Sequence, residues 1–318
     1  MKKIRFGVIG CGYIARKAFL PAIKISKGAE LIAIASRDRN KAKLFSTEFE
    51  CNYENNYESL LSRKDIDAIY IATIPSTHEK LILLAAKYGK HILCEKPLTI
   101  SNKSAKKIVD YCKEKKVGVF EGFMYQFHRQ HKKLKDLVNK GHIGEPILFT
   151  ASFGFPLKDE NNYRYKYEFG GGACLDAGCY TIHAARHFFQ SEPINIYSII
   201  NKNGKDVDLN GTALLDFGNC HTAQLSFGFN NYYRNTYSIW GTKGHISSKR
   251  AFSIPPNLES KLILQQQDYY DEIICEPDDN FVSEINYFCN SLSNSKNFVT
   301  WGNEILKQSI VVEKIMRS

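Results

Sequence analysis

No apolar run in the sequence approaches the roughly 18 residues that a membrane-spanning helix needs. The opening residues, "MKKIRFGVIG", pass from two lysines straight into a strand-like pattern with no signal-type cleavage region. A cytoplasmic location without a membrane partner is therefore expected. None of the nine cysteines forms a C-x-x-C pair, and the odd count fits neither a closed disulfide frame nor a zinc site. They read as free thiols in a reducing compartment, with Cys11, Cys94 and Cys174 as small apolar fillers inside strand or loop patterns; no metal is expected. Internal repeats, low-complexity tracts, long Pro/Gly linkers and nucleic-acid motifs are all missing.

What is there suits an ordinary globular protein. A chain of 318 residues, 43% hydrophobic and 13% aromatic, can bury a sizeable core and has the length of about two domains. The net charge of +10 admits both nucleic acid and a phosphorylated small molecule as partners. Its distribution separates them. The densest basic stretches, "NKSAKKIVDYCKEKK" (102–116) and "HRQHKKLKDLVNKGH" (128–142), carry apolar residues at helical spacing, as solvated faces of amphipathic helices do. An acidic small ligand is favoured over a polynucleotide.

Over the first 120 residues, "IRFGVIG", "ELIAIAS", "AIYIAT", "HILCEK" and "VGVFEG" read as buried parallel strands, and residues 13–27, 39–49, 78–88 and 101–116 as the helices between them, the last capped by Ser101. That alternation predicts an α/β doubly wound sheet. Beyond Gly122 come the longer strand candidates "PILFTASFGF", "INIYSIINK", "GTALLDF", "HTAQLSFGF", "YSIWG" and "KLILQQQ", which predict a largely antiparallel sheet with a few helices on one face.

The first strand runs into "GCGYIA", residues 10–15, a G-x-G-x-x-A turn opening a helix. Gly10 allows the tight turn, Gly12 lets the backbone approach a pyrophosphate, Ala15 allows close helix packing, and the amides at Tyr13 and Ile14 begin a helix whose N-terminus attracts the anion. At the end of the second strand, about 20 residues on, NAD-binding versions place an acid that holds the ribose 2′-OH. Here stands "SRDR", Ser36 to Arg39. Ser36 and Arg37 suit a 2′-phosphate, so NADP(H) is the expected cofactor; NAD(H) is the alternative, with Arg37 solvated and Asp38 on the ribose.

A second ionisable cluster lies in "GGGACLDAGCYTIHAARHF", residues 170–188. On a helix, Asp176, Tyr180, His183 and His187 share one face, beside an apolar stripe of Leu175, Cys179, Ile182 and Phe189. The glycine triplet upstream is expected to let this helix N-terminus come close to a ligand; the alternative is a plain polar surface.

Together "GVIGCGYIA", "IPSTHEKLILLAAKYGKHILCEKPLT", "FEGFMYQFHRQ" and "GGGACLDAGCYTIH" resemble the glucose-fructose oxidoreductase, inositol dehydrogenase and rhizopine-catabolism family (Gfo/Idh/MocA), in order over nearly the whole chain. The resemblance implies an N-terminal Rossmann domain at 1–121, and at 122–318 an α+β domain with an open sheet for substrate binding and self-association as a dimer or tetramer, whose C-terminal helix can pack back on the first domain. It implies hydride exchange between a nicotinamide and a sugar, with Lys96, Asp176 and Tyr180 catalytic. Thr73, Pro75, Thr77, His78, Glu95 and Lys96 would join Gly10, Gly12, Tyr13, Ile14, Ser36 and Arg37 around the cofactor, although His78 reads equally as a helix-start residue. Lys96, Tyr125, Arg164, Asp176, Tyr180 and His183 would meet the substrate, and Arg164, Lys166 and Arg234 are candidates to face a diphosphate.

Tyrosine rather than histidine at 180 departs from the inositol dehydrogenase pattern. It resembles the branch with sugar-nucleotide 3-ketoreductases and with NADP-dependent xylose and dihydrodiol dehydrogenases, so reduction of a nucleotide-linked ketosugar is the favoured expectation. Lys96 would stabilise negative charge growing on the carbonyl oxygen, and Tyr180, its pKa lowered by the ammonium, would protonate it. The alternatives are a dehydrogenase of a free aldose or diol, and a dinucleotide-binding sensor without turnover. The aromatics Phe227, Phe229, Tyr237 and Trp240 are expected on the exposed sheet face, where they would favour self-association.

Overall fold

A computed structural model describes residues 3–317 as two compact units, one of residues 3–124 with 281–309 and one of 125–280 with 310–317. The first contains β1 (Ile4–Ile9), α1 (Leu20–Ile25), β2 (Ala29–Ala35), α2 (Arg39–Glu48), β3 (Asn52–Glu54), α3 (Tyr57–Ser62), β4 (Ala68–Ile71), α4 (His78–Lys87), β5 (His91–Glu95), α5 (Asn102–Glu114) and β6 (Val119–Gly122). Its six strands pair in parallel in the order β3-β2-β1-β4-β5-β6. That is the doubly wound Rossmann order, and it opens a crevice beyond the ends of β1 and β4, where the order reverses. Strand interiors such as Val8, Ile9, Ile69 and Ile71 are fully buried because helices cover both faces. Ser101 caps α5 as expected, its hydroxyl accepting from the Ser104 amide at 3.2 Å.

The second unit contains α6 (Arg129–Asn139), β7 (Pro146–Phe155), α7 (Cys179–Phe189), β8 (Asn195–Asn201), β9 (Asn210–Asp216), β10 (Thr222–Phe229), β11 (Arg234–Gly241), β12 (His245–Ser248), β13 (Ser260–Gln266) and β14 (Tyr269–Cys275). Eight strands form one sheet, β14-β13-β12-β11-β7-β10-β9-β8, antiparallel except where β10 runs parallel to β7. Register lines assign its faces. Tyr197, Leu214, Gln224, Thr150, Ser238 and Ser247 follow one another across the strands on the open face. One residue along, Ala213, Leu225, Ala151 and Tyr237 face the other way and are buried.

Two helices complete the chain, α8 (Asn280–Ser291) and α9 (Lys296–Met316). Their residues up to 309 pack with the first unit. Trp301 stacks on Phe288 at 5.5 Å between ring centroids, and a side chain at Gly118 would place its Cβ 2.8 Å from the Phe298 ring, so only glycine leaves room for that helix.

The register corrects one expectation. Phe227, Phe229 and Tyr237 are 3%, 1% and 6% exposed, on the buried side of their strands, whereas Trp240 is 59% exposed on the open face. Strands alternate their faces residue by residue, so odd and even positions of one aromatic-rich run part company. Cys174, expected in a strand or loop, lies in a helical turn; Cys11 and Cys94 are in the glycine turn and in β5, and all nine cysteines are free thiols.

Candidate active site

At the crevice of the first unit, Gly10 has φ +107°, and a Cβ there would sit 2.6 Å from the Ala72 carbonyl oxygen. Backbone from the end of β4 fills that space, so any other residue would force β1 and β4 apart. Gly12 has no such internal constraint, its nearest neighbour being the same oxygen at 3.5 Å. The bare backbone is left for an approaching ligand. Residues 13–25 are helical, with a π-turn over Ala15–Phe19, and Tyr13 is 80% exposed while Ile14 is half-buried.

At the tip of β2 stand Arg37 and Asp38, and the helix that follows holds the second. Asp38 is the N-cap of α2, one carboxylate oxygen accepting from the amides of Asn40 and Lys41 at 3.0 and 3.1 Å. That ties it to its own helix and leaves Arg37, exposed, as the charged group at the strand tip. Ser36 Oγ accepts from the Asp38 amide at 3.2 Å and lies against the Cys11 thiol, which burial pushes up to about 11. The Tyr57 hydroxyl lies against the Arg37 main chain. Tyr57 was missed from sequence because α3, only six residues long, has too few turns to show periodicity. The turn and tip fit a dinucleotide with a 2′-phosphate.

Beyond β4, Pro75 opens a 3-10 turn to Thr77, whose hydroxyl bonds the Ile74 carbonyl at 2.8 Å and the Thr73 hydroxyl at 2.7 Å. His78, the first residue of α4, is 1% exposed, with Nδ1 3.0 Å from the Pro97 carbonyl and Nε2 3.1 Å from that of Thr73. This bears out its reading as a helix-start residue. The ring is buried between the 73–77 loop and the turn after β5; burial drops its pKa to about 4, and in the neutral form it donates to one of the two carbonyls only. Glu95 closes β5 as a buried acceptor for the Tyr70 hydroxyl at 2.5 Å. Half-buried Lys96 follows directly, at the C-terminal mouth of its strand and joined to Pro97 by a cis peptide.

In the second unit, Cys174–Gly178 is a π-turn leading into α7. Asp176 accepts from Arg164 Nε at 2.6 Å. Tyr180, 5% exposed, stands in an aromatic box with Tyr125, Phe153 and Phe252, at 5.9, 5.3 and 5.7 Å between ring centroids. The shared face of Asp176, Tyr180 and His183 is thus largely an interior one; only His187 is exposed. Tyr125, 2% exposed, bonds its hydroxyl to His183 Nδ1 at 2.7 Å. His183 thereby supports Tyr125. Burial, with His187 and Arg186 nearby, drops its pKa well below the usual range and leaves the ring neutral.

The glycine triplet serves the chain itself. A Cβ at Gly171 would meet the Arg164 carbonyl at 2.4 Å, and one at Gly172, where φ is +119°, would meet Asp208 Oδ1 at 2.3 Å. Asp208, 4% exposed, takes the Cys174 amide on Oδ2 at 2.6 Å and the Ala173 amide on its main-chain oxygen at 3.0 Å. The helix N-terminus expected to meet a ligand is satisfied internally. Nothing in "DVDLN" announces this, because the partner amides lie 34 residues away. Arg234 is also corrected: it lines a shallow groove of the open face with Ser152 and Thr236, on the opposite side of the sheet from the helix that carries Asp176 and Tyr180.

Residues 4–123 match the sequence model of an oxidoreductase family with an NAD-binding Rossmann fold, and residues 131–247 that of the Gfo/Idh/MocA C-terminal domain. The chain belongs to the Gfo/Idh/MocA family of oxidoreductases, as its motifs indicated. It is similar to the dTDP-3,4-didehydro-2,6-dideoxy-alpha-D-glucose 3-reductase of Saccharopolyspora spinosa, 35% identical over 293 residues that cover 92% of this chain and 88% of that protein. The crystal structure of KijD10, a 3-ketoreductase from Actinomadura kijaniata in complex with NADP and TDP-benzene, is similar at TM-score 0.93 and 33% identity, covering 99% of this chain and 97% of that one. The D-xylose 1-dehydrogenase (NADP(+)) 2 of Haloferax volcanii is 30% identical over 290 residues, 90% of this chain and 88% of that protein.

Proposed function

We propose that this chain uses NADPH to reduce the 3-keto group of a nucleotide-linked ketosugar. The observation that carries the proposal is the setting of Tyr180, a phenol held in an aromatic box on a helix that also presents Asp176, itself paired with Arg164. Bound NADPH supplies a hydride from C4 of its nicotinamide to the carbonyl carbon. As that bond forms, the carbonyl π electrons move onto oxygen; Lys96 stabilises the growing charge and the Tyr180 hydroxyl delivers the proton that completes the alcohol. Tyr125, fixed by His183, holds the Tyr180 ring edge-on. Asp176 binds a sugar hydroxyl or orients Tyr180, and Arg164, with Lys166 in the same loop, faces the diphosphate. Gly10 and Gly12 admit the pyrophosphate, and Arg37 takes the 2′-phosphate.

The test is NADPH absorbance with a panel of ketosugars. Consumption with a nucleotide-linked 3-ketosugar supports the proposal. Reduction of NADP by free xylose, without turnover of the nucleotide sugar, moves the assignment to the aldose dehydrogenases, and tight NADPH binding with no turnover of either moves it to a sensor.

The same proposal places the protein in the cytoplasm, in keeping with its nine free thiols, as a dimer or tetramer formed through the open sheet face. No helix among the described residues is long and apolar enough to cross a membrane. Tyr197, Ile199, Leu214 and Trp240 are 65%, 66%, 43% and 59% exposed on that face, more apolar surface than an isolated sheet normally leaves wet. Light scattering at micromolar concentration is expected to give at least twice 36.3 kDa; a species of that mass alone contradicts self-association.

A further inference from the structure

Glu284 lies on α8 among Phe281, Ile285 and Phe288, is 0% exposed, and has no hydrogen-bond partner for either carboxyl oxygen among the described residues. Its carboxyl reaches the last pair of the parallel sheet, where Glu95 of β5 stands opposite Gly122 of β6. A Cβ on Gly122 would lie 3.6 Å from Glu284 Oε1 and 3.7 Å from the Glu95 Cα. Tyr70, its ring stacked on Phe19 at 3.5 Å, approaches from β4 and donates to Glu95 Oε1. Two carboxyls and a phenol therefore share one apolar chamber. The charge that bears on Glu284 is that of Glu95, and the Tyr70 hydroxyl faces the same chamber; Cys94 and its neighbour Glu121 on β6, which accepts the Leu98 amide at 2.8 Å, alternate onto the other face of the sheet.

Like charges this close and this buried do not both ionise. Glu95 has a hydroxyl donor that favours its anion, and Glu284 has none. We propose that Glu284 is a positioning residue that stays protonated at neutral pH and so leaves Glu95 to carry the charge of this pair, at the strand end that Lys96 follows. The role toward Lys96 rests on the function proposed above; the protonation does not. Burial and the Glu95 charge raise the Glu284 pKa well above 4.5 in the folded chain. With a raised folded pKa, its stabilising contribution is complete below the ordinary value and is lost as pH rises through the folded one. Ionisation at alkaline pH would set Glu284 against Glu95 and loosen α8 from the end of β5.

The experiment is infrared spectroscopy of the intact protein at neutral pH, with thermal unfolding and kcat measured from roughly pH 5 to pH 9. A protonated-carboxyl stretch that shifts in heavy water and disappears in Glu284→Gln is expected. The melting temperature of Glu284→Gln should exceed that of the parent increasingly as pH rises, and its alkaline limb of kcat should move to higher pH. Glu284→Leu, equally neutral, should share the gain in melting temperature and serves if the glutamine variant does not fold. Absence of the band, or variants less stable than the parent throughout, would overturn the protonation. A band that is present with an alkaline limb unmoved in Glu284→Gln would overturn the positioning role. Failure of the assignment of Lys96 would show separately, as full turnover in Lys96→Met.

Discussion

Tyr180→Phe is expected to lower kcat by about 10²- to 10⁴-fold, the usual contribution of a positioned general acid, while leaving NADPH affinity nearly unchanged. The substitution removes one hydroxyl and keeps the ring, so the box formed with Tyr125, Phe153 and Phe252 should survive. Lys96→Met should be at least as damaging, because in the proposed mechanism the ammonium would stabilise the developing alkoxide directly and would also favour the phenolate left on Tyr180. Two groups serving one transition state are not additive, so the double variant should lose less than the product of the single losses. Steady-state and single-turnover kinetics check all three variants. If water or another group supplied the proton and Tyr180 only held the sugar, Tyr180→Phe would raise KM and preserve kcat. The neutral, buried His183, already bonded to Tyr125, is poorly placed to replace it.

Arg37→Asp is expected to reverse or abolish a preference for NADPH, with a loss in kcat/KM for NADPH on the order of a hundredfold, the scale of one charge-assisted phosphate contact turned into a repulsion. The acid of "SRDR", Asp38, caps its own helix through the Asn40 and Lys41 amides, whereas Arg37 stands exposed at the tip. The introduced aspartate could hold a ribose 2′-OH, and NADH turnover should hold or improve. Equal kcat/KM for the two cofactors in the unmodified protein would contradict the assignment of Arg37.

The doubly wound sheet was legible because buried parallel strands are nearly continuous apolar runs and its glycine turn sits at a fixed place in a strand–turn–helix unit. The elements that escaped were short or polar. β3 has three residues, β12 reads "HISS", and β14 reads "YYDEIIC", an edge strand whose charges blunt it and erase its alternation. Residue type and spacing nominated candidates for the site but not their partners. Asp208 on the amides of Ala173 and Cys174, Tyr57 on the Arg37 main chain and Tyr70 on Glu95 are long-range pairings that leave no spacing in the sequence. The same limit applies to His78 and His183, whose burial and hydrogen-bond partners no sequence spacing announces.

The central claim is that this chain passes hydride from a nicotinamide to a sugar carbonyl while its own residues manage the proton. Turnover of NADPH deuterated at C4, with a nucleotide-linked 3-ketosugar in ordinary water, tests it most directly. The account predicts one deuterium on C3 of the product sugar, from a single face of the nicotinamide, and a solvent proton on the new hydroxyl. Product with no deuterium at C3, or label recovered only in water, would contradict it.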